Sequence, residues 1–423
     1  MSSYSEINNR FLNAAILSYY PSHLSCLDIA QSFIRIQIIN HFLDQQIFNC
    51  QEFLFQRLLP QWLKNGIHPD LGYSHESLNS DWKVNHVGRI RLLTQCRQLY
   101  TFSHAYLFSQ DETWLSPLAG LFEFTTQKYW QTDHWIFSLD DQLEVNNAHS
   151  DCYALAFVLL GFSYYYQATG DRRALEFIEK THVFLQEKMT HPRGGFHETY
   201  PVEKEQVRRQ NPHMHLLEGY LAAYETTSLE AYKAQIRKLL DLFMRYFFDE
   251  QTNCLIEFFH EDWSIDSTMG YHIEPGHHFE WIWLLHKADQ VFPDPRHQQI
   301  ADALWNSAMA AGLDPNGGIY NQVDAQTGRV IDAEKRIWPI TEYLKALCAR
   351  SKNNPELETA ISKNLDFMFT HYLNQDGSWN EYLNKDNTPK AYPLPGTSSY
   401  HLFLGLSEVI TWRIGIEYDS QAL

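Results

Sequence analysis

Six short loops recur along this chain at a spacing of about sixty residues. Each loop places turn-forming or polar residues around one aromatic or aliphatic residue. The six central residues, which lie 62, 61, 59, 64 and 60 residues apart, are Tyr73, Trp135, Phe196, Leu255, Ile319 and Trp379. A fixed period of this length marks a repeated supersecondary unit, so the loops constrain the fold more strongly than any other feature.

The segments between the loops carry a helical pattern. Apolar residues recur at three- and four-residue spacing in 95–110, 154–171 and 215–227. Helix stops are visible as well. Gly170 lies at the end of the second of these segments, and Pro293 and Pro295 follow the helical run that includes Trp281 and Trp283. Each repeat therefore has room for two helices.

Six repeats of two helices predict a closed ring of helical hairpins. This is an all-α fold, an (α/α)6 barrel, in which six inner helices surround a central cavity and the loops form short β-hairpins. An open solenoid is the alternative, although solenoid repeats are usually about 33–47 residues long. We expect a single barrel domain over residues 1–423, because closed barrels exceed the usual prior of roughly 150 residues per domain.

The composition excludes several classes of partner. The formal charge of −18 argues against nucleic acid and against an anionic membrane surface, since both require clustered Lys and Arg. No apolar run reaches the roughly 18 residues of a transmembrane helix. The first thirty residues contain no secretory signal pattern. We therefore expect a cytoplasmic protein. The hydrophobic content of 44% is sufficient for one large core.

The cysteines are scattered and form no CxxC pair. Their spacing excludes a zinc knuckle and a redox motif, and a reducing compartment predicts free thiols. The six are Cys26, Cys50, Cys96, Cys152, Cys254 and Cys348.

Polar or aromatic side chains recur about twenty residues after each loop centre, where the next helix begins. With offsets of 24, 18, 19, 22, 19 and 22 residues, they are Arg97, Tyr153, His215, His277, Trp338 and His401. Equivalent places in a closed ring point to one spot, the mouth of the barrel. Six helix N-termini there, each with roughly +0.5 charge, favour a negative oxygen. Histidine supplies an acid or base, while Arg and the aromatic residues suit a polyhydroxylated ring.

The stretch NPHMHLLE contains the most specific pair. His215 and Glu218 are spaced i, i+3 and face the same way on a helix, which predicts a base whose tautomer is fixed by a carboxylate. The alternative is an ordinary first helical turn with a well-placed Glu. His213 points elsewhere, and an HxH metal site suits a strand better than a helix. We therefore predict no metal ion.

Two further histidines start inner helices. Only one of the adjacent His277 and His278 can point inward, and we expect it to be His277, with Glu280 one turn later. The alternative is that one histidine caps the helix and the other packs against Trp281. His401, which opens the last apolar run, is either a counterpart of His215 or a core histidine.

Arg97 lies among apolar neighbours and needs a partner, either a substrate oxygen or an inner carboxylate such as Glu218. Trp338 and Trp379 suit the wall of a site or the core, and one of them could stack on a sugar ring.

Four ordered motifs resemble those of the N-acylglucosamine 2-epimerase superfamily over nearly the whole chain. They are N-x-H-M-H-x-x-E from Asn211 to Glu218, P-G-H-x-x-E-W from Pro275 to Trp281, R-x-W-x-x-x-E from Arg336 to Glu342, and Tyr400-His401.

This resemblance implies an (α/α)6 barrel and an isomerase that needs neither metal nor cofactor. The implied reaction interconverts free D-mannose, or a related aldose, with D-fructose through an enediolate. His215 or His401 would remove the C2 proton, and Glu218 and His277 would assist ring opening and proton movements. The implied substrate-binding residues are Arg97, Tyr153, Asn211, Glu280, Trp338 and Trp379.

One departure leaves alternatives open. Leu155 stands where some isomerases of the family carry a histidine on the second inner helix, which weakens the isomerase assignment. A 2-epimerase of mannose, glucose or an N-acylglucosamine-type sugar would use the same fold and site. A glycoside hydrolase would instead need two carboxyl groups flanking a bond. A sugar-binding protein without activity is a third class. The monosaccharide would be the partner of a monomer or homodimer.

Overall fold

The computed structural model describes residues 42–203, 206–351 and 355–415. The described residues from Asn49 onward belong to one compact unit, which contains the barrel. The predictions of one domain over 1–423, of no signal in the first thirty residues and of a free Cys26 thiol fall wholly or partly outside the described residues.

Twelve α-helices of the described residues build two concentric layers. The outer layer consists of α1 (Leu59–Asn65), α3 (Leu118–Tyr129), α5 (Arg173–Phe184), α7 (Glu230–Leu242), α9 (Pro295–Ala311) and α11 (Pro355–Phe367). The inner layer consists of α2 (Leu92–Ser109), α4 (Cys152–Thr169), α6 (Gln210–Thr227), α8 (Pro275–Val291), α10 (Ile337–Ser351) and α12 (Ser398–Ile414). Each inner helix packs on the next, and α12 returns to α2. The chain is therefore an (α/α)6 barrel, which confirms the predicted fold class.

The two layers differ in how apolar residues are distributed. Twelve of the eighteen residues of α4 are buried, because one side of an inner helix packs on the outer layer and the other lines the barrel interior. In the outer helix α7, the buried residues recur every three or four positions and form a single stripe. Gly170 ends α4 in a left-handed conformation, and Pro295 opens α9, so both punctuation signals mark helix ends.

Several outer helices adjoin π-helical turns, which a 3.6-residue pattern does not predict. These turns are Phe53–Leu58 before α1, Leu185–Met189 after α5, Phe243–Phe247 after α7 and Met368–Tyr372 after α11. A short 3-10 helix, Glu112–Leu115, precedes α3.

The loops form short antiparallel pairs that tie the barrel mouth into a ring. The strands are β1 (Ser77–Leu78), β2 (Ile90–Arg91), β3 (Ser138–Leu139), β4 (Val145–Asn147), β5 (Ser150–Asp151), β6 (Thr199–Tyr200), β7 (Arg208–Arg209), β8 (Phe248–Asp249), β9 (Cys254–Leu255), β10 (Phe258–Phe259), β11 (His272–Ile273), β12 (Gln322–Asp324), β13 (Val330–Asp332), β14 (Lys335–Arg336), β15 (Tyr382–Leu383), β16 (Pro389–Lys390) and β17 (Leu394–Pro395).

A strand that precedes an inner helix pairs with the loop of the following repeat. The pairs are β2 with β3, β5 with β6, β7 with β10, β11 with β12 and β14 with β15. The sixth pair joins β1 of the first loop to β17 before the last inner helix, with Ser77 opposite Pro395 and Leu78 opposite Leu394. The ring of strand pairs therefore closes where the ring of helices closes.

The described cysteines are buried and free, as predicted for the thiols. Burial raises the pKa of the thiols of Cys50 and Cys96, which makes them unreactive core residues. Among the described residues, no helix combines the length and the apolar character that crossing a membrane requires.

Two glycines allow inner helices to approach closely. A Cβ atom on Gly161 of α4 would lie 2.5 Å from the carbonyl oxygen of Cys96 in α2, and one on Gly219 of α6 would lie 2.6 Å from that of Ala156 in α4. Both glycines are the tenth residue of their helix, so the same close approach occurs at two successive contacts between inner helices.

We expect Gly219→Ala to destabilise the barrel by about 1–3 kcal/mol, because the added methyl group collides with backbone. In an unstrained helix the same change would stabilise by about 0.5–1 kcal/mol. Gly170→Ala is the control, since a Cβ there meets nothing within 4 Å and only the left-handed backbone (φ +71°) is penalised. Urea unfolding of the three proteins checks the order. A Gly219→Ala protein as stable as the parent would contradict the packing argument.

Candidate active site

Residues from all six inner helices meet at the barrel mouth. Arg97 on α2 donates to the hydroxyl of Tyr153 on α4 (2.8 Å). The ring of Tyr153 lies 5.0 Å from that of His215 on α6. On the other side, the ring of Trp338 on α10 lies 4.8 Å from His277 of α8 and 5.9 Å from His401 of α12. The structure therefore brings the six repeat-equivalent residues into one cluster.

His215 is held by a carboxylate that is itself held by a phenol. Nδ1 of His215 is hydrogen bonded to Oε2 of Glu218 (3.0 Å), and the hydroxyl of Tyr400 donates to Oε1 of Glu218 (2.5 Å). The pKa of Glu218 is lowered because its bonds to His215 outweigh the effect of burial. An ionised Glu218 accepts a hydrogen bond from Nδ1–H of His215, so the free lone pair of the ring lies on Nε2.

Burial keeps His215 neutral. It lowers the pKa of the imidazole to about 4, although Glu218 opposes the shift. Nε2 faces Oε1 of Glu280 at 3.7 Å. Burial together with the nearby Glu342 and Glu218 raises the pKa of Glu280 well above its usual range, so this carboxyl is protonated and neutral. A neutral base thus lies beside a neutral acid.

His401 has a second anchoring pair. Its Nδ1 is hydrogen bonded to Oε1 of Glu342 (2.9 Å), and Oε2 of Glu342 forms an ion pair with Nζ of Lys345 (2.6 Å). Burial and the positive charges of Arg97 and Lys345 lower the pKa of His401 well below its usual value. His401 is therefore also a neutral base with Nε2 free.

The pKa of His277 is shifted in the opposite direction from those of His215 and His401. Nδ1 of His277 is bonded to Oε1 of Glu257 at 2.9 Å, and Gln210 donates to the other oxygen at 2.8 Å. Burial alone would lower the pKa of His277, but Glu257, which is both charged and hydrogen bonded to the ring, outweighs burial together with Glu274 and raises it to about 10. At neutral pH, His277 is an imidazolium.

The partner of His277 was missed by the sequence reasoning, which noted only Glu280 one turn along the same helix. Glu257 lies two residues after the centre of the fourth loop. Glu198 and Glu381 hold the same place in the third and sixth loops. The glutamate that recurs at this loop position was the sequence signal that could have identified Glu257.

Some of the hydrogen-bond donors of Arg97 are bonded to protein groups. Besides Tyr153, it donates to the carbonyl oxygen of Thr397 (3.2 Å), and its guanidinium lies 4.2 Å from the ring centroid of Phe157 and 4.8 Å from that of Tyr400. Its Nε is buried and makes no hydrogen bond to the described residues. The sequence predicted a substrate oxygen or an inner carboxylate such as Glu218 as the partner of Arg97, whereas its protein partners in the structure are Tyr153 and Thr397.

Asn211 is half-buried at the start of α6. Its Oδ1 is buried and has no hydrogen-bond partner among the described residues, which leaves an acceptor for a ligand hydroxyl. Trp379 lies elsewhere. Its ring packs 6.0 Å from that of Trp62, and its indole donates to Glu381 (3.1 Å). The structure thus places Trp379 in the core, as the sequence reading allowed, and not in the histidine cluster.

His213 and His278 hold loops and do not join the cluster. Nε2 of His213 accepts the backbone N–H of Phe196 (2.9 Å), and Nε2 of His278 accepts that of Leu255 (3.1 Å). Burial lowers the pKa of His213 to about 3 and that of His278 to about 4, so both are neutral acceptors. Each is the fourth residue of its inner helix. The expectation that only His277 of the adjacent pair faces the cluster agrees with this geometry.

Three arginines lie directly before inner helices, and each binds a buried glutamate of a loop. The pairs are Arg91 with Glu76 (2.6 Å), Arg209 with Glu198 (2.6 Å) and Arg336 with Glu381 (3.2 Å). Charge at this rim is therefore balanced pair by pair.

One group of atoms has the spacing of a metal site. Ligand atoms of His215, Glu218 and Glu280 lie within 4.8 Å of one another. However, both oxygens of Glu218 are already hydrogen bonded, one to His215 and one to Tyr400. That the reaction needs no metal ion remains a prediction, which activity measured in the presence of a chelator would test.

The buried cluster therefore combines two neutral imidazoles, one imidazolium and one protonated carboxyl. Such a set can remove a proton from carbon and stabilise the negative oxygen that results.

The family model for N-acylglucosamine 2-epimerase (GlcNAc 2-epimerase) matches residues 72–405. A mannose-6-phosphate isomerase of Rhizobium meliloti (strain 1021) is 27% identical over 364 residues, covering 83% of this chain and 93% of the relative. A D-mannose isomerase of Marinomonas mediterranea is 23% identical over 391 residues, covering 86% and 98%. The solved cellobiose 2-epimerase of Bacillus thermoamylovorans superposes with a TM-score of 0.80 at 21% identity, over 87% of this chain and 99% of that one.

We expect His213→Ala to destabilise the protein by about 1–3 kcal/mol, because the buried N–H of Phe196 loses its acceptor. His213→Gln is the matched control. Gln95, the fourth residue of α2, plays the same part in the first repeat, where its Oε1 accepts the N–H of Ser74 (2.7 Å). Denaturant unfolding should find the glutamine variant closer to the parent. Equal losses in both variants would show that the loop does not depend on this bond.

Proposed function

The chain belongs to the N-acylglucosamine 2-epimerase family, and on that premise we propose that it interconverts free D-mannose, or a related aldose, with D-fructose. The coarser assignment, a sugar isomerase or epimerase, follows from the family and from its relatives. The observation that carries the finer proposal is the pairing of two neutral histidines, His215 and His401, with the imidazolium of His277.

The first step is removal of the C2 proton from the open-chain aldose. Nε2 of His401 or of His215 takes this proton, and the electron pair of the C2–H bond forms the C1–C2 double bond of an enediolate. Both imidazoles have lowered pKa values, so both are in the base form at neutral pH. The carboxylates of Glu342 and Glu218 hold Nδ1–H of each ring and stabilise the charge that develops on it.

His277 supplies positive charge and a proton to the oxygens. As the C1–O5 bond breaks, the imidazolium protonates the ring oxygen and takes up the proton that O1 loses. His277 therefore remains positively charged and stabilises the enediolate oxygen in the next step. Return of the abstracted proton to C1, with loss of the O2 proton, gives the ketose. Because the pKa of His277 is raised to about 10, it retains its proton through the neutral range. Glu280, which is protonated, can pass a proton between O1 and O2.

The remaining residues bind hydroxyl groups. Arg97 has a buried Nε and Asn211 a buried Oδ1, each without a hydrogen-bond partner among the described residues, and both suit sugar hydroxyls. Trp338 and Tyr153 form aromatic walls against the histidines. Trp379, buried against Trp62, would act on the substrate only through its bond to Glu381.

The rim favours an uncharged sugar over a phosphorylated one. Arg91, Arg209 and Arg336 each have a glutamate partner, so their charges are already balanced. One relative is named for mannose 6-phosphate, and both sugars therefore belong in the assay.

A 2-epimerase is the second candidate, because the site offers two separate neutral bases. If His401 removed the C2 proton and His215 protonated the opposite face of C2, mannose would become glucose. A glycoside hydrolase fits less well. It needs carboxyl groups that act on the glycosidic bond directly, whereas Glu218, Glu257 and Glu342 each bind a histidine.

The acidic surface and the balanced rim also support a cytoplasmic enzyme that binds neither nucleic acid nor membrane. We expect it to act as a monomer or homodimer, which sedimentation would establish.

Incubation of the protein with D-mannose in deuterated buffer tests the proposed function. We expect fructose that carries solvent deuterium at C1, at a rate that a chelator leaves unchanged and with mannose preferred over mannose 6-phosphate. Glucose as the main product would assign the epimerase. Release of reducing ends from an oligosaccharide would assign a hydrolase, and no turnover of any sugar would contradict both isomerase and epimerase.

We expect His401→Ala and His277→Ala each to lower kcat by about 10²-fold or more, the usual contribution of a positioned acid or base. His215→Ala should do the same if both bases take part. His213→Gln is the control, because that side chain holds a loop and faces away from the cluster. Initial rates on mannose check the prediction. Losses below tenfold in all three alanine variants would contradict the assigned roles.

The activity should depend on pH in two opposite ways. A base must be neutral, so activity should rise as the pH passes above the lowered pKa values of the two candidate bases, His401 and His215, of which that of His215 is lowered to about 4. An acid must be charged, so activity should fall as the pH approaches the raised pKa of His277, about 10. A profile of kcat/KM against pH checks both limbs.

A control for unfolding is required at high pH. The raised pKa of His277 contributes stability that is present in full below the unfolded value near 6.5 and is lost as the pH rises through about 10. Far-UV circular dichroism at each pH separates this loss from titration of the active enzyme. A flat profile with intact structure would contradict the charge assignments.

A further inference from the structure

Lys345 is a fully buried lysine among the inner helices. Neither it nor its partner Glu342 is exposed, and Nζ lies 3.9 Å from the ring centroid of Trp283 on α8. Burying an ammonium group is costly unless it is paired. Lys345 is not one of the repeat-equivalent residues at the mouth, and none of the proton-transfer steps above passes through it.

We infer that Lys345 is a positioning residue of the proposed isomerase, which fixes Glu342 so that His401 keeps its proton on Nδ1 and presents Nε2 to the substrate. The inference rests on the proposed function. It is carried by the unbroken chain of contacts from Nζ through Oε2 and Oε1 of Glu342 to Nδ1 of His401, with distances of 2.6 and 2.9 Å.

The two anchored bases differ in what holds the carboxylate. Glu218, which holds His215, receives a bond from the neutral hydroxyl of Tyr400. Glu342, which holds His401, instead contacts the positively charged ammonium group of Lys345. The contact between Lys345 and Oε2 orients Glu342 so that Oε1 faces Nδ1 of His401, which holds the ring proton on Nδ1. The same charge disfavours protonation of Nε2, which remains available as a base.

Other charged groups face this arrangement from the surrounding inner helices, and each contributes to its charge balance. They are Arg97 of α2, His215 and Glu218 of α6, Glu280 of α8, and Glu408 of α12. Among these groups, Glu342 contacts Lys345 most directly. Burial would lower the pKa of Lys345, but Glu342 together with Glu218 outweighs burial and raises it, which keeps the lysine charged.

A purely structural role is the alternative, since a buried ion pair can stabilise a fold without affecting chemistry. The two roles differ in their effect on His401. A structural pair would change the stability of the barrel and leave the titration of His401 where it is. A positioning residue would change both the tautomer and the titration.

The test compares Lys345→Met, Glu342→Gln and the double variant with the parent, in kcat, KM and the pH profile. We expect Lys345→Met to lower kcat by about tenfold or more with little change in KM. Loss of the cation favours the His401 imidazolium, so the acid limb of kcat/KM should move to higher pH by about one unit. In the Glu342→Gln background, the lysine substitution should add little, because its effect passes through Glu342.

Lys287→Met is the matched control. Lys287 lies near the same indole, 5.4 Å from the ring of Trp283, but forms its ion pair with Glu408 (3.3 Å). The acid limb of this variant should stay in place. An unshifted limb in Lys345→Met, or effects of the two single substitutions that simply multiply, would overturn the inference.

A measurement on the parent protein covers the case in which Lys345→Met does not fold. Nitrogen-15 NMR of labelled histidine, with His401 assigned by its loss in His401→Asn, should give a neutral ring protonated on Nδ1 from pH 6 to pH 8. A ring protonated on Nε2, or a charged ring at pH 6, would overturn the inference. If the parent turns over no sugar, the proposed function fails, and the NMR result still decides the role of Lys345 toward His401.

Discussion

The pairing of buried carboxylates controls the chemistry of this barrel. Glu218, Glu257 and Glu342 are buried, and each is hydrogen bonded to one histidine. Where burial and nearby cations lower the pKa of a histidine more than carboxylates raise it, the ring is neutral, as for His215 and His401. Where several carboxylates face one ring, as at His277, the ring is charged. One residue type thus supplies both bases and an acid because of the surrounding groups.

The closed ring makes this arrangement possible. Short strand pairs link each inner helix to the loop of a neighbouring repeat, and the pair between Ser77 and Pro395 joins the two ends of the barrel. Gly161 and Gly219 let adjacent inner helices approach closely. Helix starts that are far apart in the chain are therefore held at one mouth. Tyr400 can reach Glu218 across 182 residues of sequence only because the ring is closed.

Much of this could be predicted from the sequence. The loop period gave the number of repeats, and the offsets from the loops gave the positions of Arg97, His215 and His401. His215 and Glu218 were visible as a pair because they are neighbours on one helix. Glu257 was not, since it lies on a loop and meets His277 only through tertiary contact. Trp379, which the resemblance placed in the substrate site, is packed on Trp62 because its loop faces the core there.

The sequence by itself determined the repeat, the helices and the family, because these depend on periodicity and on local motifs that one stretch of chain carries whole. Only the tertiary structure decided the charge of each histidine. That charge depends on which carboxylates and cations approach from other repeats, as Glu274 does at His277 and Arg97 does at His401. Electrostatic interactions in a buried site act over distances in space, and separation along the chain does not reveal them.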